Sequence, residues 1–494
     1  MHIKRVKEEI KSAISAYLKK DEYGTYLIPA IRQRPLLIMG PPGIGKTQIM
    51  EQIARECKIA LVAYTITHHT RQSAVGLPFI RQKEYGGRSY SVTEYTMSEI
   101  IASVYEKMEQ TGLKEGILFI DEINCVSETL APTMLQFLQC KTFGNQQVPE
   151  GWIIVAAGNP PEYNKSVRDF DVVTLDRIRM MEVEENYDVW KEYAYRTGIH
   201  PAIISYLELK RDNFYRIETT VDGKAFATAR GWEDLSEFLK VCELLEKEVD
   251  REVVYQYIRH WKIAKDFANY VELYRKYRKD YGLEQILEGC WSKDTIEKLG
   301  YAPFDERLSV LGMLLGKLNE LFREYCFQDR RVSILHGYLK DYMETGDMDE
   351  TLQRAFEEYE RLRRAEQLTK VEDQIWRRVV EMIESYKTNI SVEHLEGEAA
   401  KEVIRKNFQE ETQARTQSAR EAGKSLDHAF NFLEAAFGDS QEMVSFVTEL
   451  NTGFYSIQYL RDHDCNKYYM YNKRLLFDAQ REEILEELET VFHA

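Results

Sequence analysis

The stretch LLIMGPPGIGKTQIM, Leu36–Met50, decides how the rest of the chain is read. Its first four residues, Leu36-Leu37-Ile38-Met39, are all apolar, as in a strand buried on both faces of a parallel sheet. Gly40, Gly43 and Gly45 then remove side chains where a backbone must curl around an anion, its N–H groups turned inward as a nest for phosphate oxygens. From Thr47 onward Ile49, Met50, Ile53, Ala54 and Cys57 recur at helical spacing, so the loop ends on a helix N-terminus with unpaired N–H groups and a positive dipole end. Gly40-x4-Gly45-Lys46-Thr47 fits G-x-x-x-x-G-K-[ST] in the strand–loop–helix context that gives this pattern its meaning. The loop Gly40, Pro41, Pro42, Gly43, Ile44, Gly45, with Lys46, Thr47 and Gln48, is therefore expected to bind ATP. Lys46, on a surface loop, faces the β- and γ-phosphates, and Thr47 ligates Mg²⁺.

Two further strand-like runs end in polar residues. GILFIDEIN, Gly116–Asn124, closes on two acids, and adjacent carboxylates at a buried strand end are costly without positive charge nearby. Mg²⁺ carried by ATP supplies it: Asp121 is expected in the metal's shell and Glu122 as the base that polarises the attacking water. WIIVAAGNPPEYN, Trp152–Asn164, ends at Asn159. Open α/β sheets bind ligands at the carboxyl ends of their strands, so Asn159 is placed to meet the γ-phosphate or the lytic water.

Two more runs, Ala60–Ile66 and Ile178–Val183, complete five strands, with helical patterns at Met97–Gln110 and Glu128–Gln139. Alternation of strand and helix implies a parallel sheet covered on both faces, an α/β fold. Thr96-x-x-Glu99 reads as a capping box opening the first of these helices. Phe79–Val92 interrupts the alternation as a β-hairpin about Gly86-Gly87, within an insertion near 76–95. From residue 186 the pattern turns helical, except for a second hairpin near 214–230 about Asp222-Gly223. The spacing therefore predicts a nucleotide-binding domain over 1–185, a small, mostly helical domain over 186–265 and a large α-helical region over 266–494. The tyrosines of YRKYRKDY, Tyr274–Tyr281, fall at i, i+3 and i+7, a packed helix face with solvated basic residues between.

Composition excludes several classes. With 494 residues, core burial is no limitation, and 30 % charged residues leave no apolar run of membrane-spanning length. The first twenty residues form a charged amphipathic pattern without the features of a secretory signal. Seven cysteines lie scattered without metal spacing, which suits reduced thiols in a cytoplasmic protein. Net charge is −16; residues 1–185 sum to about −1 and the rest to roughly −15, which argues against a nonspecific grip on nucleic acid.

GPPGIGKT, LFIDEIN, AAGNPPEYN and TLDRIR, in this order and spacing, resemble the AAA+ ATPases and, within them, the MoxR-like group. TARGWEDLSEF resembles that group's lid segment. The resemblance covers about residues 25–260. It implies that Lys46 and Thr47 are the Walker A residues, Asp121 and Glu122 the Walker B pair, and Asn159 sensor 1. It further implies that Arg177 is an arginine finger reaching a neighbouring subunit, with Arg168 and Arg179 as alternatives, and that Arg230 is the sensor 2 arginine. A finger acting in trans implies a ring, expected to be a hexamer. The implied activity is ATP hydrolysis driving the remodelling or maturation of a protein client, often with a partner carrying a von Willebrand factor A domain. A nucleotide-switched scaffold and a nucleic-acid motor are the alternatives.

Overall fold

The structure, a computed structural model, describes residues 1–68, 71–143, 146–163, 170, 172–220 and 223–475. The chain divides into two units, one of residues 1–189 with 356–374, the other of residues 190–355 with 375–494.

The first unit is built on five parallel strands. These are β1 (Leu36–Met39), β2 (Ala60–Thr65), β3 (Gly116–Asp121), β4 (Trp152–Gly158) and β5 (Arg179–Glu182). Their order across the sheet is β2-β3-β4-β1-β5, every neighbouring pair parallel. The chain leaves β1 for the far edge and returns one strand at a time. The segments after β1, β3 and β4 consequently meet at one edge of the sheet, where a doubly covered α/β sheet holds its ligand.

Side-chain alternation explains why both faces are dry. Leu36, Ile38, Ile117, Phe119, Ile153 and Val155 point to one face, where they pack on α1 (Ile3–Tyr17) and α2 (Lys46–Cys57) through Val6, Ile10, Ile49, Met50 and Ile53. Leu37, Leu118, Ile120 and Ile154 point to the other and meet α3 (Glu99–Thr111) and α4 (Ala131–Cys140) through Ile100, Val104, Met134 and Phe137. Each such fully buried aliphatic side chain contributes roughly 1.5–3 kcal/mol, so the sheet is a stiff platform for the loops at its edge.

The insertion is an antiparallel hairpin, Pro78–Tyr85 with Arg88–Tyr95, turning at Gly86-Gly87. The expected capping box does not form. Ser98 is the residue before α3, and its hydroxyl donates to Ala74 O, whereas Thr96 accepts from the Leu77 N–H at 2.8 Å, tying off the base of the hairpin. The hairpin's need for an acceptor outcompetes the helix end.

The second unit is helical apart from the short hairpin Arg216–Thr220 with Gly223–Ala227; Asp222, expected in its turn, lies outside the described residues. Trp232 of α5 (Ala229–Leu244) is fully buried against Tyr206 of the helix Pro201–Leu209 and against Phe267 of α6 (Trp261–Tyr281), and its indole N–H donates to Phe214 O at 3.1 Å. Tyr274 and Tyr281 are buried and Tyr277 half-buried, the packed tyrosine face that the spacing predicts. Beyond them run two long helices, α7 (Phe304–Thr345, 42 residues) and α8 (Gly397–Phe437, 41 residues). At 1.5 Å per residue each spans about 60 Å. They run antiparallel, sharing one apolar core around Leu314, Leu318, Leu426 and Phe430 and another around Leu335, Leu339 and Ile404. Among the described residues no helix is long and apolar enough to cross a membrane.

Candidate nucleotide site

β1 ends at Met39, and the chain turns through Gly40, Pro41, Pro42, Gly43, Ile44 and Gly45 before α2 begins at Lys46. Gly43 and Gly45 hold φ of 76° and 90°, left-handed backbone that costs a glycine little. Gly45 caps α2 and has no side chain of its own to compete for the first-turn N–H groups. Ile44 packs on the core beneath the loop, and Gln48 is exposed in the first turn.

Lys46 is not a surface-loop residue. It is the first residue of α2 and only 8 % exposed. Its ammonium donates to Gly40 O and Pro41 O, both at 2.8 Å, and to Asn159 Oδ1 at 2.9 Å. It thereby joins the loop after β1 to the end of β4. Thr47 makes the corresponding link to β3, its hydroxyl donating to Asp121 Oδ2 at 2.9 Å. The other Asp121 oxygen accepts the Glu122 N–H at 2.9 Å. Lys46, Thr47, Asp121, Glu122 and Asn159, five residues from three separated motifs, therefore converge at one sheet edge.

Glu122 adopts φ 57° and ψ 34°. Left-handed backbone at a residue with a Cβ costs of order 1–3 kcal/mol, and such strain concentrates at functional sites. Nothing in the local sequence signals this geometry. Asn124, two residues on, also has no role in the sequence reading, yet it is 3 % exposed and its Nδ2 donates to Asn159 O at 2.8 Å. The signal available was an amide between Ile123 and Cys125, with Val126 beyond.

Thr47 Oγ1 and Asp121 Oδ2 are hard oxygen donors of the kind Mg²⁺ takes. Adjacent ligands of an octahedral Mg²⁺, each about 2.0–2.1 Å from the metal, lie roughly 2.9 Å apart. The observed separation matches, so these two oxygens fit the ion without rearranging the backbone. Among the described residues no cluster of three or more His, Cys, Asp or Glu can hold a metal.

Of the candidate arginines, Arg177 and Arg179 make their contacts with other residues of the first unit. Arg179 opens β5 and pairs with Glu9 of α1, which also pairs with Arg5 at 2.5 Å. Arg177 is exposed and donates to Gln139 Oε1 at the end of α4. Arg168 lies outside the described residues. Arg230 belongs to the second unit, exposed in the first turn of α5, whose N-terminus Thr228 caps by accepting from the Gly231 N–H.

Residues 36–174 match the family described as AAA, the ATPase family associated with various cellular activities. The chain carries an AAA ATPase domain. Its parallel five-stranded core with flanking helices is the AAA+ fold, joined here to a large helical C-terminal region. No curated protein matches the chain. Among solved structures, one variant of RuvB from Thermotoga maritima matches at 14 % identity, covering 52 % of this chain and 69 % of that one with a TM-score of 0.28. Another RuvB variant from the same organism matches at 15 % identity, covering 58 % and 76 % with a TM-score of 0.29.

Proposed function

We propose that this chain is a ring-forming, MoxR-like AAA+ ATPase that couples ATP hydrolysis to the remodelling or maturation of a protein client. The observation that carries the ATPase part is the pair of links from α2, Lys46 to Asn159 and Thr47 to Asp121, which gather cation, hydroxyl, carboxylate and amide at the mouth of an anion-binding loop.

In this reading the loop N–H groups and Lys46 hold the phosphates, and Thr47 and Asp121 would hold Mg²⁺, which would supply charge neutralisation for the phosphates. Lys46 exchanges one of its protein acceptors for a phosphate oxygen. Glu122 orients the attacking water and takes its proton, and Asn159 fixes the water or the γ-phosphate at the far side. ATP and water leave as ADP and phosphate. Arg177 stabilises the developing charge in the adjacent subunit's site, and Arg230 contributes from the lid. The client is a protein, with a von Willebrand factor A domain protein as the candidate partner; the acidic balance of the helical region speaks against a nucleic-acid track.

The test is phosphate release by the full-length protein with ATP, with and without Mg²⁺, beside Lys46→Ala and Glu122→Gln. The wild type should turn over only with Mg²⁺, and both variants should fall to background. Turnover at the wild-type rate in Glu122→Gln would remove the assignment. The client reading is tested by affinity capture on the ATP-trapped Glu122→Gln protein. A captured protein that stimulates wild-type turnover supports it; capture of nucleic acid instead of protein sinks it.

A further inference from the structure

We propose that Asn124 is a positioning residue for ATP hydrolysis, holding the end of β4 so that the Asn159 side chain meets Lys46. The inference rests on the ATPase reading above.

The sheet leaves Asn159 without a ladder partner. The pairing of β1 with β4 ends at Met39 and Gly158, and Gly158 O accepts from the Gly40 N–H at 3.3 Å. Asn159 is the next residue, and Pro160 and Pro161 follow it without N–H groups. The chain at Asn159 therefore has little backbone bonding to fix its direction. Asn124 supplies the missing contact from the turn after β3, its Nδ2 donating to Asn159 O at 2.8 Å. On the side-chain side, Asn159 Oδ1 accepts from Lys46 at 2.9 Å. One amide thus sets the backbone from which the other reaches the lysine.

The fit of Asn124 is close and one-sided. A Cβ on Gly158 would stand 2.6 Å from Asn124 Oδ1, so the amide occupies the space that the glycine leaves. That Oδ1 is buried and has no hydrogen-bond partner among the described residues. An unsatisfied buried oxygen is a cost that a small apolar side chain would avoid. What the amide contributes here is its donor, and the donor is spent on Asn159.

Asn124→Asp keeps the shape and removes the donor, so it carries the test even if Asn124→Ala folds poorly. Both variants, Asn159→Ala and the double variant Asn124→Asp/Asn159→Ala are assayed for kcat, for ATP affinity and for thermal unfolding. Asn124→Asp should lose kcat by about ten- to a hundredfold, the loss that follows a misplacement of roughly 1 Å, while ATP affinity stays near that of the wild type. The double variant should be no slower than Asn159→Ala, because the effect passes through Asn159. Wild-type kcat in Asn124→Asp, with or without a lower unfolding temperature, overturns the proposal. So does a double variant slowed by the product of the two single losses. Amide exchange at Asn159, Glu162 and Tyr163 in the nucleotide-free protein reads the positioning without activity: faster exchange in Asn124→Asp supports it, unchanged exchange overturns it. A wild type that turns over no faster than Glu122→Gln instead removes the ATPase reading, and the catalytic half of this inference with it.

Discussion

The Thr47 hydroxyl reaches Asp121 Oδ2 across 2.9 Å, binding the first turn of the helix after the glycine loop to the end of the neighbouring-but-one strand. The pair spans the gap that adjacent Mg²⁺ ligands occupy. Thr47→Ala removes one of the two oxygens and leaves the other in place. We expect hydrolysis by this variant to need about tenfold or more Mg²⁺ for half-maximal rate, with little change in the fold. A Mg²⁺ titration at saturating ATP checks it; an unchanged midpoint means that Thr47 is not a ligand.

Lys46→Ala has a structural consequence beyond lost affinity. Gly40 O, Pro41 O and Asn159 Oδ1 all lose a buried charged donor. Leaving acceptors unpaired costs about 1–3 kcal/mol, so this variant should unfold at lower temperature as well as lose ATP binding. Calorimetric titration and a thermal melt separate the two effects. ATP binding at wild-type affinity would exclude the phosphate role.

Glu122 stores backbone strain that a glycine in its place would release. Glu122→Gly keeps φ 57° at far lower backbone cost, whereas Glu122→Gln keeps both the strain and the shape. Both should bind ATP and fail to hydrolyse it, but only the glycine variant gains from relaxed backbone. Its extra freedom in the unfolded chain offsets part of that gain. We expect Glu122→Gly to be no less stable than Glu122→Gln, although glycine usually destabilises. A melt showing Glu122→Gly lower by several degrees would argue that the geometry is not strained.

These residues mark where the sequence stops being legible. The loop after β1 could be read because glycine spacing, a flanking apolar run and Lys46-Thr47 form one local pattern, and Asp121 and Asn159 because each closes an apolar run. The central strands β1, β3 and β4 matched for the same reason: apolar runs buried on both faces need no long-range information. Thr96 was misread because a hairpin base and a helix end compete for one hydroxyl, and only tertiary contact decides between them. The partnership of Asn124 with Asn159 spans two strands, which no local pattern encodes. The long helices α7 and α8 pair through stripes too interrupted by charge to reveal their partner from sequence.

Lys141 is another residue whose burial the sequence conceals. It closes α4, is 5 % exposed and has Gln33 Oε1 at 3.4 Å. Burial pushes its ammonium from 10.5 down to about 8. Below pH 8 the folded and unfolded chains both hold the proton, and the folded protein bears a buried charge. Between about pH 8 and 10.5 the unfolded chain holds more protons than the folded one, so stability rises with pH through that window. The gain is on the order of 3 kcal/mol. Lys141→Met should be more stable than the wild type at pH 7, and the two should converge toward pH 10.5. Urea unfolding at several pH values reads this; a constant difference across the range would mean that Lys141 titrates normally.

Arg177 tests the ring. It lies two residues before β5, whose first residue, Arg179, is in register with Leu36 at the start of β1. The phosphate loop follows Met39, in register with Glu182 at the other end of the same pair. Arg177 therefore sits at the sheet edge opposite its own nucleotide loop, about 10 Å of strand away, while Arg179 is already paired with Glu9. A finger from this position serves a neighbouring subunit more readily than its own. Arginine fingers contribute about 10³–10⁵ in rate. Arg177→Ala should thus bind ATP yet lose hydrolysis, and the loss should be repairable from outside. Mixed with Lys46→Ala, which lacks the phosphate cation but keeps its arginine, it should regain partial activity. An intact loop on one subunit then faces an intact finger on the next. Arg177→Ala with Glu122→Gln should also recover in part, whereas Lys46→Ala with Glu122→Gln should not, since each of those lacks its own catalytic centre. Native mass spectrometry verifies that the rings contain both variants. Mixed rings without recovery would place the finger elsewhere, at Arg168 or within the same subunit.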